Sequence, residues 1–361
     1  MTKRIWIACG LLLAAVSLSS VSGAGREAAA SEKWVARYNG PGNGDDAAAA
    51  VALDVSGNLI IVGTSAGSGT GTDVATVKLD AGGNLVWARL YDGPAHGDDA
   101  GKDIAVDAAG NIFVLGSTKS ATGTDITAVK YSPAGKRLWV KKYDGTGHGD
   151  DEARGIALDS QGAAIVCGTG RDGHTNPYAV VIKYGTKGAR LWIKRGIPVS
   201  LNVSMATDVV VDPSDNIYVC GGLFDANWDL LTAKYDRNGV LAWAKSLNGT
   251  NDRTDVAAAV AVTASGAVYI IGSIQRAAYN NDYATVRYDK NGGLMWAKTY
   301  NGPANRDESP TGLAVDALGN AHVTGWSGVA DSDYDFATVK YSPTARCVGQ
   351  EPMTAPTLTN L

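Results

Sequence analysis

Acidic side chains return at one place in a repeating pattern along this 361-residue chain: Asp46, Asp99, Asp151, Asp255 and Glu308. A second acid precedes most of them, as in Asp45-Asp46, Asp98-Asp99, Asp150-Asp151 and Asp307-Glu308, whereas one copy departs with Val203-Ser204. Carboxylates gathered at a common mouth repel one another, and a hard divalent cation with oxygen ligands relieves that repulsion. Calcium is the expected ion. The same residues have a second use, because an aspartate can accept hydrogen bonds from the N–H groups of its own loop and cap it without any ligand. Both readings stay open at the level of sequence.

Other residues break the pattern. Trp326 stands where other copies carry Thr64, Ser117 or Ser273, and Trp228 and Tyr334 stand where others carry Thr72 or Thr124. Aromatic faces beside carboxylates suit a carbohydrate or a peptide, so Trp326, Tyr334 and Trp228 form the expected ligand-binding group, with local packing of longer loops as the competing role. The recurring Asp73, Asp125, Asp229, Asp282 and Asp335 read as structural. So do Lys78, Lys130, Lys183, Lys234, Arg287 and Lys340, as partners for nearby aspartates or as a solvated edge. His96 and His148 share one loop position and are expected to make loop hydrogen bonds; His322 reads as packed, and His174 lies in the irregular run RDGHTNPY. No Ser/His/Asp signature, His-rich metal motif or phosphate loop is present, and no catalytic residue is assigned.

The elements that must position these residues follow from the tryptophans. Trp34, Trp87, Trp139, Trp192, Trp243 and Trp296 recur at intervals of 51 to 53 residues, a period typical of solenoids and propellers. The second unit reads as four strands: DIAVD (103–107), NIFVLG (111–116), ITAVKY (126–131) and RLWVKKY (137–143). Asp107-Ala-Ala-Gly110-Asn111, repeated at Asp54 and Asp316, predicts a tight turn between the first two. Residues 34–39 supply only a fourth strand and residues 312–341 only the first three, with five complete units between. The expectation is therefore an all-β, six-bladed β-propeller of four-stranded antiparallel blades, closed by the N-terminal strand completing the last blade. The joints between blades and those between strands two and three emerge on one face, called the top here. That face carries the departures from the repeat, and recognition is expected there.

Bulk properties narrow the setting. A net charge of -4 gives no basic footprint, which sets aside nucleic acid and anionic lipid as partners. Lys3 and Arg4 precede an apolar run and then small residues, the pattern of a secretory signal peptide over residues 1–24, with cleavage after Ala30 fitting equally well. The apolar run is short for a spanning helix, so the mature chain is expected to be secreted, periplasmic or at the cell surface, with no transmembrane segment and as a monomer. Three cysteines remain after cleavage, an odd count that implies no disulfide scaffold; Cys167 and Cys220 read as buried, and Cys347 falls in the tail, residues 342–361.

The repeat G-x-G-D-D-x-A-x-x-I-A-V-D-x-x-G-N-I-x-V-x-G-x-T/S, then D-x-x-T-x-K-Y and a Trp, resembles the SBBP family of bacterial β-propeller repeats over about residues 34–341. The resemblance implies a propeller in an exported or cell-surface protein and brings no catalytic residues with it. The expected function is a binding or scaffold module. The alternative is a calcium-dependent propeller hydrolase such as a lactonase, an analogy at the level of fold.

Overall fold

The computed structural model describes residues 32–171, 176–197, 203–249, 253–277, 280–329 and 333–344. All regular structure among them is β, 23 strands in six antiparallel sheets. The first sheet is β1 (Asp46–Leu53), β2 (Leu59–Ala66), β3 (Thr72–Leu79) and β4 (Leu85–Tyr91), in that order. The second, third, fourth and fifth sheets repeat it from Ala100 to Tyr143, Glu152 to Arg195, Ser204 to Leu247 and Asp255 to Tyr300. Within each blade the chain runs up and down between neighbours, as the repeat predicts.

The turns explain why the strands end where they do. Asp107 Oδ1 accepts the N–H of Ala109 at 3.0 Å and of Asn111 at 2.8 Å, and Gly110 takes φ 78°, a conformation that a side chain disfavours. Asp54 and Asp316 repeat the arrangement on Ser56 and Asn58 and on Leu318 and Asn320. Strand one of every blade carries a β-bulge, which bends the innermost strand.

The core lies between the blades. One apolar cluster joins Ile165, Cys167 and Val181 of the third blade to Ile217, Val219 and Leu231 of the fourth. Each such side chain, fully buried, contributes about 1.5–3 kcal/mol. Cys167 and Cys220 are both buried, as expected, and neither forms a disulfide.

A second contact orients each blade on the next. The strand-four tryptophans donate Nε1–H to a carbonyl just past strand three of the following blade: Trp87 to Pro133 O at 3.1 Å, Trp139 to Thr186 O at 3.2 Å, Trp192 to Arg237 O at 3.3 Å, Trp243 to Lys290 O at 3.3 Å and Trp296 to Pro343 O at 3.1 Å. The strand-three lysines reach the same carbonyls, Lys78 at 3.3 Å, Lys130 at 3.3 Å, Lys183 at 2.9 Å and Lys234 at 3.1 Å. Lys78 and Lys183 also pair with Asp54 and Asp159 at 2.9 and 2.8 Å, the aspartate partnership expected of them.

The sixth sheet has three strands, β21 (Glu308–Val315), β22 (Ala321–Gly328) and β23 (Tyr334–Tyr341). Residues 34–39 form no ladder with β23 in this structure, although Trp34 Nε1 donates to Ala81 O at 3.2 Å, the bond its counterparts make. The signal peptide, His174, Cys347 and most of the tail lie outside the described residues. No helix among the described residues is long and apolar enough to cross a membrane.

Gly135, at φ 76°, lies under the Trp87 ring, and a Cβ there would stand 2.8 Å from Trp87 Cδ2. Trp87→Ala is expected to cost about 3–5 kcal/mol, and Gly135→Val to destabilise comparably. Denaturant midpoints at unchanged slope measure both.

Candidate functional site: carboxylate joints and an aromatic pair

The recurring acids of strand one are fastened to backbone. Asp99 Oδ2 accepts the N–H of Gly93 in its own loop, and Oδ1 accepts that of Lys119, at the end of strand two, at 2.6 Å. Asp151 repeats the pair on Gly145 and Arg171 at 2.5 and 3.0 Å, and Asp255 on Gly249 and Gln275 at 2.5 and 2.9 Å. Asp46 accepts from Gly40 at 2.8 Å, and Glu308 from Ser327 Oγ at 3.2 Å. Where the acid is missing, Ser204 Oγ accepts the N–H of Ala179 at 3.0 Å and of Ile197 at 3.4 Å. Ser204 keeps a bond to its own joint through Ile197 but reaches strand three of the previous blade in place of the end of strand two, so the position fastens backbone even without an acid.

The preceding acids latch blades together. Asp98 Oδ1 accepts the N–H of Thr72 at 3.1 Å, Asp150 that of Thr124 at 2.9 Å and Asp307 that of Asn281 at 3.0 Å, each from the previous blade.

Two joints go further. Carboxylate oxygens of Asp73, Asp92 and Asp99 lie within 4.8 Å of one another, and those of Asp125, Asp144 and Asp151 do the same. Neither group contains a second member of the set expected to share the channel mouth. The acids gather instead with the strand-three aspartate and a loop aspartate of the blade before. The reason is that Asp99 and Asp151 are each held back by two backbone N–H groups, one from the loop before strand one and one from the end of strand two. Oxygens this close can share one cation at calcium's 2.3–2.6 Å ligand distances, with water completing the shell. Asp92 Oδ1 is buried and lacks a hydrogen-bond partner, which leaves it free to ligate.

Asp92 and Asp144 were not singled out in the sequence, although a signal exists. Asp92 pairs with His96 Nδ1 at 2.5 Å and Asp144 with His148 Nδ1 at 2.7 Å, while Asn39–Asn43 and Asn301–Asn305 fill the same loop positions at 2.8 and 2.6 Å. The two residues change together, so an Asp four residues before a His marks the joints with a third carboxylate. The loop hydrogen bonds expected of His96 and His148 are present. His322 approaches Asp316 Oδ2 at 3.4 Å.

The aromatic departures separate into two pairs. Trp326 and Tyr334 face each other across β22 and β23, edge to face, with centroids 4.8 Å apart. Trp228 pairs instead with Phe224 in the fourth blade, centroids 5.6 Å apart, and covers Gly222. Trp228 therefore belongs to a different hairpin from the other two.

No protein-family model matches the chain, and no curated protein does. Solved structures do. The periplasmic gluconolactonase PpgL of Pseudomonas aeruginosa aligns over 80% of this chain and 87% of its own at 10% identity, TM-score 0.50. The gluconolactonase XC5397 of Xanthomonas campestris aligns over 62% and 69% at 16% identity, TM-score 0.37. A Trp149Ala mutant of the Synechocystis apocarotenoid oxygenase aligns over 67% and 58% at 11% identity, TM-score 0.42. The likeness to PpgL is one of fold. The chain is an all-β propeller.

Burial pushes Asp151 and Asp255 up to about 6 and Glu308 up to about 7, from ordinary values of 3.8 and 4.5. The folded state therefore holds protons that the unfolded chain releases, so this contribution is complete below about pH 4 and is lost as pH rises through 6 to 7. Without divalent cations, the melting temperature is expected to fall between pH 5 and pH 7.5. Glu308 Oε2 has no partner, so Glu308→Gln should flatten that slope and raise the melting temperature at pH 7.5, by on the order of 5 °C. Calorimetry across the range checks both.

Proposed function

We propose that this chain is an exported six-bladed propeller of the SBBP type, its ring closed by the N-terminal strand, acting as a binding or scaffold module in the periplasm, at the cell surface or outside the cell. The ligand is a carbohydrate or peptide held on the top face. The edge-to-face pair of Trp326 and Tyr334 carries this reading, because no structural demand of the repeat requires aromatics where other blades manage with serine and threonine. The counterparts of Tyr334 in docked blades, Thr72, Thr124 and Trp228, stay half-buried, so in the closed ring the Tyr334 ring keeps an edge for stacking. Trp228 with Phe224, itself exposed, offers a second and separate platform.

Glycan and peptide arrays probed with the mature protein test the proposal. Trp326→Ala is expected to weaken the ligand found there by at least about tenfold, the equivalent of 1.4 kcal/mol, with little change in melting temperature. Unchanged affinity would remove the pair from the site.

The carboxylate clusters favour a second reading. A calcium ion held by Asp73, Asp92 and Asp99, or by Asp125, Asp144 and Asp151, would brace the top face, and in an enzyme it would polarise a carbonyl, as in a lactonase. Thermal melts with calcium against excess chelator decide the first part. A rise that disappears in Asp92→Asn/Asp144→Asn establishes the ion. Lactone hydrolysis that is abolished by chelator and by the same variant would move the protein to the enzymes.

A further inference from the structure

At the joint between the fifth and sixth blades, the strand-one acid is released from a bond that its counterparts make. Asp99, Asp151 and Asp255 each accept the N–H at the end of strand two, from Lys119, Arg171 and Gln275. Gly328 stands at that place in the sixth blade, and its N–H goes to Asp307 O at 2.9 Å. In the fourth blade Phe224 likewise donates to Val203 O at 3.0 Å, and there the acid has given way to Ser204. Glu308 persists without that bond. It is fully buried, Oε1 accepts from Ser327 Oγ at 3.2 Å, and Oε2 has no partner.

Two more oxygens of this joint are left over. Asp282 of strand three is fully buried and accepts no hydrogen bond; the Arg276 guanidinium, 2.5 Å from Oδ2, takes that oxygen and leaves Oδ1. Asn301 Oδ1 is buried and unpartnered, because the amide donates its N–H to Asn305 Oδ1 at 2.6 Å and so turns its carbonyl the other way. Glu308, Asp282 and Asn301 hold the repeat positions of Asp99, Asp73 and Asp92, whose carboxylate oxygens lie within 4.8 Å of one another in the first joint. A Cβ on Gly302, next to Asn301, would stand 2.6 Å from Glu308 Oε1, so the acid reaches that loop. The Asp282 charge also bears on Glu308.

Buried carboxylate and amide oxygens without donors are costly alone and are the ligands of a hard cation. Charge decides which cation. The first two joints gather three carboxylates each. Here Arg276 offsets Asp282, an amide replaces the third acid, and Asp307, partly exposed, is spent on the backbone and amide N–H groups of Asn281, both at 3.0 Å. The buried charge left to neutralise is that of Glu308. We propose that Glu308 Oε2, Asp282 Oδ1 and Asn301 Oδ1 hold a monovalent metal cation, sodium, between the fifth and sixth blades, with water completing its shell. Glu308 and Ser327 face each other one residue along from Ser309 and Trp326, so the ion fixes the hairpin of Trp326 and Tyr334 against the fifth blade. The inference depends on neither the calcium reading nor the ligand of the aromatic pair.

Thermal melts of the mature chain in sodium chloride and in choline chloride at equal concentration test the site, with chelator present to silence divalent cations and at about pH 8, where Glu308 is ionised. The melting temperature should be higher in sodium by on the order of 3 °C. The difference should vanish in Glu308→Gln, which keeps the shape of the side chain and is expected above to fold stably. Asn301→Ala, which removes a neutral ligand, should raise the sodium concentration of half effect by about tenfold. Equal melting temperatures of the parent chain in the two salts would overturn the site. So would a sodium effect that survives Glu308→Gln, or one whose midpoint is unmoved in Asn301→Ala.

Discussion

The contact on which the fold depends is the indole of strand four lying over the turn of the next blade. It combines a buried aromatic surface, a hydrogen bond to a turn carbonyl and a glycine whose missing side chain makes room for the ring. Each part requires the others: Gly135 must take a positive φ for its turn to close, and the same lack of a Cβ lets Trp87 reach Pro133 O. Blade orientation is thus set by the geometry of a tight turn, not by hydrophobic matching alone. The strand-three lysines add a charged donor to the same carbonyl and remain neutralised by the turn aspartate of their own blade.

The acidic loops work under a different constraint. Their backbone N–H groups cannot be satisfied by a ladder, so a carboxylate from strand one satisfies them, and burial raises the pKa of Asp99, Asp151, Asp255 and Glu308, whereas hydrogen bonds hold that of Asp46 below the ordinary value. Ser204 accepts the loop N–H of Ile197 with a neutral hydroxyl. The joints with aspartate therefore carry negative charge beyond what the fastening needs. The joints containing Asp92 and Asp144 carry the most, and there the loop histidine stands against it.

Strand order, turn positions, the period of the tryptophans and the buried cysteines were all legible in the sequence, because each recurs with the period and its physical demand is local. The gathering of Asp92 with Asp73 and Asp99 was not, since it depends on how a loop folds back across a joint. Trp228, Trp326 and Tyr334 were recognisable as departures from the repeat. Their separation into two hairpins was hidden because Phe224, the partner of Trp228, occupies a position where an aromatic attracts no notice. Phe336 reads as an ordinary strand residue, and only its 96% exposure marks it as unusual.

The five joints reuse one set of contacts, so under the proposed closure the face of blade one would accept blade six of any molecule, not only its own. Such a surface pair is heterologous, and heterologous contacts that do not close on themselves extend into open filaments. What separates a soluble monomer from a fibre is then the effective concentration of one end of the chain at the other, of millimolar order for tethered ends. In the closed ring proposed above, dilute protein would close on itself, whereas crowding, or loss of the segment around Trp34, would shift the balance toward assembly between chains.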